Sequence, residues 1–275
     1  DVVSKINTGA KYDSKVFQKS VGLNGVGTKA VNALSDYFKV TAYRDGKEKT
    51  AEFKCGELIK EHIETSSKES NGTQVVFVPD EIIFRNFHFI SDYIDKQLWN
   101  YCYLNAGLII NYNGRKFVSK NGLLDLLHRN ANEDELRYPV IHLKGEDIEV
   151  AISHNNEYGE DIYSFVNGQY TTQGGTHVLA FREAFVKTIR DFFKKDYDTS
   201  DIRQSIVAAV AVRVQEPVFE SQTKTKLGSQ YLYEGGPSMK NFMIDFFSKE
   251  LDNFLHKNPA VAEALKKRIE QSERE

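Results

Sequence analysis

A chain of 275 residues exceeds one average domain of ~150 and is expected to hold about two. Its 40% hydrophobic residues, with 18 Phe and 14 Tyr, can fill real cores, yet no window approaches the ~18 uninterrupted apolar residues of a membrane-spanning helix. A formal net charge of −3 provides no global positive field for nucleic acid, so any DNA contact has to come from a local basic face.

The first twenty residues place Lys5, Lys11, Lys15 and Lys19 between polar positions rather than around an apolar stretch, so a soluble, unexported protein is expected. The chain starts at Asp1 and runs straight into patterned sequence, which reads as a piece of something longer. Cys55 and Cys102 form no CxxC pair, which argues against a disulfide framework or a zinc site and fits a reducing compartment.

In chain order, residues 1–21 are polar and read as a loop. The run Gly22-Leu23-Asn24-Gly25-Val26-Gly27 then opens a helix over Thr28–Ser35, with Ala30, Val31 and Leu34 at helical spacing. Phe38–Tyr43 and Thr50–Cys55 alternate as a hairpin closed by Asp45-Gly46, and Asn71–Pro79 is a further strand. Ser91–Asn105 is an amphipathic helix, and the polar stretch Arg129–Glu135 marks a domain boundary at 130. Strands at Ile148–His154 and Asp161–Val166 follow, then a loop over Thr171–Thr176 and a long helix to Lys195. Ile206–Val214 is nearly continuously apolar, as a strand buried on both faces would be, and helices near Ser238–His256 and Ala260–Ser272 finish the chain. The mixture gives an α+β or α/β class.

Glycines at this density before a helix let backbone N–H groups approach an anion, so the Gly22–Thr28 loop reads as a phosphate cradle. It is not a Walker A loop, because Lys29 follows Thr28 in the wrong order. Gly25, Gly27 and Ala30 do fit a loose Gly-x-Gly-x-x-Ala pattern with Asp45 beyond it, which makes a dinucleotide oxidoreductase the alternative reading. Against it, Lys15–Ser20 is too polar for the buried parallel strand that fingerprint needs, and the next strand turns back through a tight hairpin.

Thr8-Gly9-Ala10-Lys11-Tyr12-Asp13, followed by Val21–Gly27 and Ala30–Ser35, closely resembles the ATP lid of the ATPase subunits of bacterial type IIA DNA topoisomerases, gyrase and topoisomerase IV. Asn71-Gly72-Thr73 resembles the floor of the same nucleotide pocket, and Gly174-Gly175-Thr176-His177 with Phe181-Arg182, then Ser221–Leu227, resemble that family's transducer. The matches stand in family order, and the continuation Thr225–Ser229 leans toward topoisomerase IV.

The resemblance implies an α+β chain: the C-terminal part of a GHKL ATP-binding domain over 1–130, then a transducer over 131–275 with a left-handed βαβ crossover and a long C-terminal helix. It implies an ATP-dependent DNA topoisomerase of the cytoplasm, with ATP and Mg2+ as cofactors. Its partners would be DNA, the A-type DNA-cleaving subunit and a second copy of the ATPase region, with no membrane. Lys11, Gly22, Leu23, Asn24, Gly25, Val26, Gly27, Thr28 and Thr73 would hold the nucleotide, while Lys224 with Gln222 would sense its γ-phosphate. Arg182, Lys187 and Arg190 recur at roughly helical spacing, beside Lys194 and diluted by Glu183, Asp191 and Asp196, and would face DNA phosphates. His177 reads as a capping or packing residue, and no metal constellation is legible. The family's catalytic glutamate, magnesium-binding asparagine and adenine-reading aspartate all precede the lid, so this segment alone is expected to be inactive. Phe17 stands where the gyrase lid carries a tyrosine.

Overall fold

The computed structural model describes residues 1–9, 18–22 and 25–275. By their internal contacts these fall into two units, Asp1–Gln18 with Gly22–Ile90, and Lys19–Val21 with Ser91–Glu275.

In the first unit a short helix, α1 (Gly27–Ala33), precedes the strands β1 (Ser35–Arg44), β2 (Lys47–Lys54), β3 (Glu57–Glu61), β4 (Thr65–Ser66) and β5 (Gly72–Pro79). The order is β3-β2-β1-β5 with β4 also on β2, and every pairing is antiparallel. The β1–β2 hairpin closes at Arg44 opposite Lys47, through Asp45 at φ 51° and Gly46 at φ 77°. Positive φ at both turn residues is the geometry whose twist suits a two-residue hairpin, and an Asp-Gly pair tolerates it. Phe38 and Phe53 face each other across this hairpin, both buried, with ring centroids 6.1 Å apart and edge to face. The sheet also disposes of the oxidoreductase alternative: Asp45 sits in a hairpin turn of an antiparallel sheet, bonded through its N–H to Asn71 Oδ1, where a dinucleotide fold needs parallel strands joined by crossover helices.

The second unit begins with α2 (Ser91–Leu104), the hairpin β6 (Ile110–Tyr112) and β7 (Arg115–Phe117), and α3 (Leu123–Asn130). Then come β8 (Ile141–Gly145), β9 (Ile148–His154), β10 (Asp161–Val166), β11 (Gln169–Tyr170), α4 (Thr176–Phe193), α5 (Thr199–Arg203), β12 (Ile206–Val212), α6 (Met239–Lys257) and α7 (Pro259–Ser272). Its sheet runs β11-β10-β12-β9-β8, with β10 and β12 the parallel pair joined by the α4 crossover.

β12 lies in the middle, and its side chains alternate between two cores. Ile206, Ala208, Val210 and Val212 enter the larger core with Phe181, Phe185, Phe247, Leu251 and Leu265 from the helices α4, α6 and α7. Val207 and Ala209 enter a smaller one with Tyr103, Leu123, Leu126 and Leu127 from α2 and α3. Burial on both faces follows directly from that alternation. It also explains why residues 91–130 pack as part of the second unit, whereas the sequence draws its boundary at 130.

Phe247 is fully buried and meets Phe181 edge to face at 5.6 Å. Phe247→Ala is therefore expected to destabilise the second unit by about 3–5 kcal/mol, the usual cost of emptying an aromatic core site. Leu58→Ala, at a position 54% exposed, is expected to change stability by at most ~0.5 kcal/mol. Urea unfolding of the two variants beside the parent chain measures both.

Candidate functional site

The glycine run belongs to the first unit except for its approach. Of the residues expected to hold a nucleotide, Lys11, Leu23 and Asn24 lie outside the described residues, as does Phe17. Gly25 stands at φ 57°, a left-handed turn that sets up α1, and the helix starts with Ala30 N–H donating to Val26 O at 2.8 Å. No side chain caps this N-terminus, and among the described residues a Cβ built on Gly27 would meet nothing within 4 Å. Thr73 is exposed on β5, opposite Ala42 of β1.

Lys29, set aside when the Walker pattern failed, is the residue that sequence reasoning missed. It is only 8% exposed, and its ammonium donates to the carbonyls of Thr8 (2.7 Å) and Gly25. A buried cation held by neutral carbonyls beside an uncapped helix start suits an anion. Its signal was a lysine two residues into the helix after Gly-x-Gly. Asn32 is also buried and ties the same segment down, donating to Val3 O at 3.0 Å.

Lys224 belongs to the second unit, on the chain that leaves β12. Its residue adopts φ 57°, and Lys224 N–H donates to Ser221 O at 3.0 Å while Glu220 N–H donates to Lys226 O at 3.0 Å, closing a tight loop. The neighbouring Lys226 pairs with Glu220 at 2.9 Å, whereas Lys224 makes no carboxylate pair among the described residues. Its ammonium instead donates to Val21 O at 3.2 Å. Val21 is the last of three residues laid along this unit, with Lys19 bound to both oxygens of Asp147 at 2.7 and 2.6 Å and Ser20 O accepting from Asn167 Nδ2 at 3.3 Å. Gln222 and Thr223 are exposed beside the lysine.

His177 is completely buried and packs rather than caps. The Thr171 hydroxyl donates to Ser164 O at 2.9 Å, which leaves it to accept from His177 Nε2–H at 3.1 Å. Burial lowers the His177 imidazole to about 3. His154, equally buried, donates from Nε2 to Ile202 O at 2.9 Å and accepts the Tyr138 hydroxyl at Nδ1, and burial lowers it to about 4.

The basic stripe of α4 is heavily paired. Arg182 bonds Glu160 at 2.8 Å, and Arg203 reaches the same carboxylate. Burial opposes ionisation of Glu160, yet Arg203 and Arg182 together hold its carboxyl below the ordinary value. Arg190 pairs with Asp196 at 3.0 Å and donates to Tyr197 O and Thr199, and Lys187 pairs with Asp191 at 2.6 Å. Arg182, Lys187 and Arg190 nonetheless line one cleft of about 360 Å³ with Arg203, Lys240 and the apolar wall of Val186 and Ile244. Lys194 is the left-handed C-cap of α4 and is not among the residues lining that cleft.

A family model described as DNA gyrase B matches residues 113–275. The B-type subunit of DNA topoisomerase 4 from Borreliella burgdorferi is 46% identical over 272 residues, covering 99% of this chain and 44% of that protein. The B-type subunit of DNA gyrase from Thermotoga maritima is 30% identical over 294 residues, covering 98% and 45%. Among solved structures, the 43K ATPase domain of Thermus thermophilus gyrase B, in complex with an aminocoumarin, superposes with a TM-score of 0.73 at 26% identity, over 93% of this chain and 73% of that one. The chain thus spans less than half the length of these two curated relatives.

Both buried imidazoles sit far below the ~6.5 of an unfolded histidine, so folding favours their neutral form and unfolding releases them to take up protons. The stability they carry is complete above pH 6.5 and drains as pH falls from 6.5 toward about 4 for His154 and about 3 for His177. Urea midpoints measured across that range are expected to fall with pH, and His154→Gln to flatten the fall. An unaltered slope in the variant would assign the acid sensitivity to other groups.

Proposed function

Because the chain belongs to the DNA gyrase B family, we propose that it is the lid-to-transducer part of the ATPase component of a type IIA topoisomerase, coupling ATP binding and hydrolysis to DNA strand passage. In this reading residues 1–130 serve as the C-terminal part of the ATP-binding domain and 131–275 as the transducer, although 91–130 pack with the second unit against β12. The observation that carries the reading is Lys224: a cation with no carboxylate partner among the described residues, on a loop braced by backbone hydrogen bonds.

The described residues fit a polyphosphate. Gly22, Gly25, Val26, Gly27 and Thr28 offer N–H groups at an uncapped helix start, and Lys29 adds a buried ammonium with only neutral acceptors. Lys11, Leu23, Asn24 and Thr73 complete the nucleotide contacts in this reading. When bound, ATP with Mg2+ supplies the phosphoanhydride whose cleavage drives the cycle. Lys224 would meet the negative charge that grows between the β- and γ-phosphates during cleavage, with Gln222 beside it. A compact ammonium on a flexible stem serves that task as a point charge. The metal's ligand belongs upstream of the lid, as the family resemblance implies.

DNA, the A-type cleaving subunit and a second ATPase region are the partners in this reading, and the cytoplasm its compartment. No helix among the described residues is long and apolar enough to cross a membrane. Topoisomerase IV is favoured over gyrase by the 46% identity to the Borreliella topoisomerase 4 protein and by the Thr225–Ser229 string.

In the full-length parent protein, Lys224→Ala is expected to lower ATP turnover ~100-fold or more, the scale of losing one preorganised electrostatic contact, while nucleotide binding falls far less. Normal turnover in that variant would remove Lys224 from the chemistry. For DNA, Lys187→Ala is the informative change, since a glutamate at 182 would face Glu160 and one at 187 would face Asp191, confounding binding with like-charge strain. Weaker DNA-stimulated ATPase with a flatter salt dependence is expected, because fewer counterions are released. Unchanged stimulation across a salt series would reduce the stripe to a solvated face.

A further inference from the structure

The loop that carries Lys224 is seated against the two glycines that precede α4. Leu227 N–H donates to Gly174 O at 3.0 Å, Thr176 N–H donates to Leu227 O at 3.1 Å, and Gln173 N–H donates to Thr225 O at 2.9 Å. The Thr176 hydroxyl fastens the far side of the loop, donating to Ser229 O at 2.5 Å. Leu227 is itself buried in the larger core, so the loop is held from both directions.

The two glycines do different work. Both have positive φ, 68° for Gly174 and 134° for Gly175. A Cβ on Gly174 would meet only the Val178 side chain, at 3.3 Å. A Cβ on Gly175 would fall 2.4 Å from Leu227 O, 2.5 Å from Leu227 N and 2.8 Å from Leu227 Cα. Those are backbone atoms, which cannot swing aside as a side-chain end can. Behind the pair, the buried Thr171–His177 bond and the Gly174 N–H to Thr171 O bond at 2.9 Å hold the turn in place. Relief of the clash therefore has to part the Leu227 backbone from the start of α4.

We infer that Gly175 is a positioning residue for Lys224: its missing side chain lets the Leu227 backbone close on the start of α4, and that closure sets where the lysine stands. Leu227 is three residues beyond Lys224 on the same tight loop, so a shift of about 1 Å at Leu227 reaches the ammonium, and a misplacement of that size costs up to ~100-fold in rate. The inference rests on the reading of Lys224 as the phosphate-facing cation.

The test compares Gly175→Ala, Gly174→Ala, Lys224→Ala and the Gly175→Ala/Lys224→Ala double variant in the full-length parent protein, reading kcat and KM for ATP together with thermal unfolding. Gly175→Ala is expected to lower kcat ~10-fold or more with KM within ~2-fold, and the double variant to be no slower than Lys224→Ala alone, since both changes remove one contribution. Gly174→Ala is expected to lower Tm without a comparable loss of kcat. Normal kcat in Gly175→Ala beside a slow Lys224→Ala overturns the inference alone, as do losses that multiply in the double variant or an equal kcat loss from Gly174→Ala. Normal turnover in Lys224→Ala overturns the underlying reading and the inference with it. Should Gly175→Ala fail to fold, Thr176→Val, which removes the bond to Ser229 O and keeps the side chain's shape, carries the same cycle. It is expected to give a smaller kcat loss that is again absorbed by Lys224→Ala, and multiplication of the two losses overturns the proposal.

Discussion

A strand with no polar side chain has to be covered twice, and that requirement on β12 organises the second unit. One cover comes from α4, α6 and α7, the other from α2 and α3. Because β10 and β12 run parallel, the chain crosses between them through α4, after β11 has turned back antiparallel along β10. The Gly174–His177 segment follows β11, and it meets the Ser221–Leu227 loop through backbone bonds of Gly174 and Thr176 to Leu227.

Electrostatics then distinguishes the lysine from the cations of the α4 stripe and from its neighbour Lys226. Arg182, Lys187, Arg190, Lys226 and Lys240 each hold a carboxylate, and the pairs with exposed partners contribute little stability and are screened by salt. Lys224 and Lys29 face backbone carbonyls instead, which satisfy hydrogen bonds without cancelling charge. A cation left uncompensated in this way keeps most of its field for an incoming anion. The buried histidines follow the opposite rule: His154 and His177 are kept neutral by burial and act as hydrogen-bonded core residues.

Much of the fold was legible because it rests on local periodicity. β9 and β10 begin and end where the alternation places them, the Asp45-Gly46 turn closes its hairpin, and α4, α6 and α7 lie within two residues of their expected bounds. Short elements escaped. β8, α3 and α5 give too few residues to establish a period, and β3 places Leu58 and Ile59 on an exposed edge. Of the candidate site, the glycine motif, the lysine string and the Gly174–His177 segment could be recognised as separate strings, while Lys29 was passed over because its order broke a phosphate-loop pattern.

The sequence by itself determined the α+β class, the family and the residue types suited to phosphate, since each depends on neighbours within a few positions. Only the tertiary structure decided which distant strings touch. That Gly175 lies against Leu227, that Glu160 pairs with both Arg182 and Arg203, and that residues 91–130 cover β12 rather than the first sheet are all outcomes of packing between segments far apart in the chain. Backbone approach of that kind depends on how two cores close around one strand, and no periodicity in the amino acids records it.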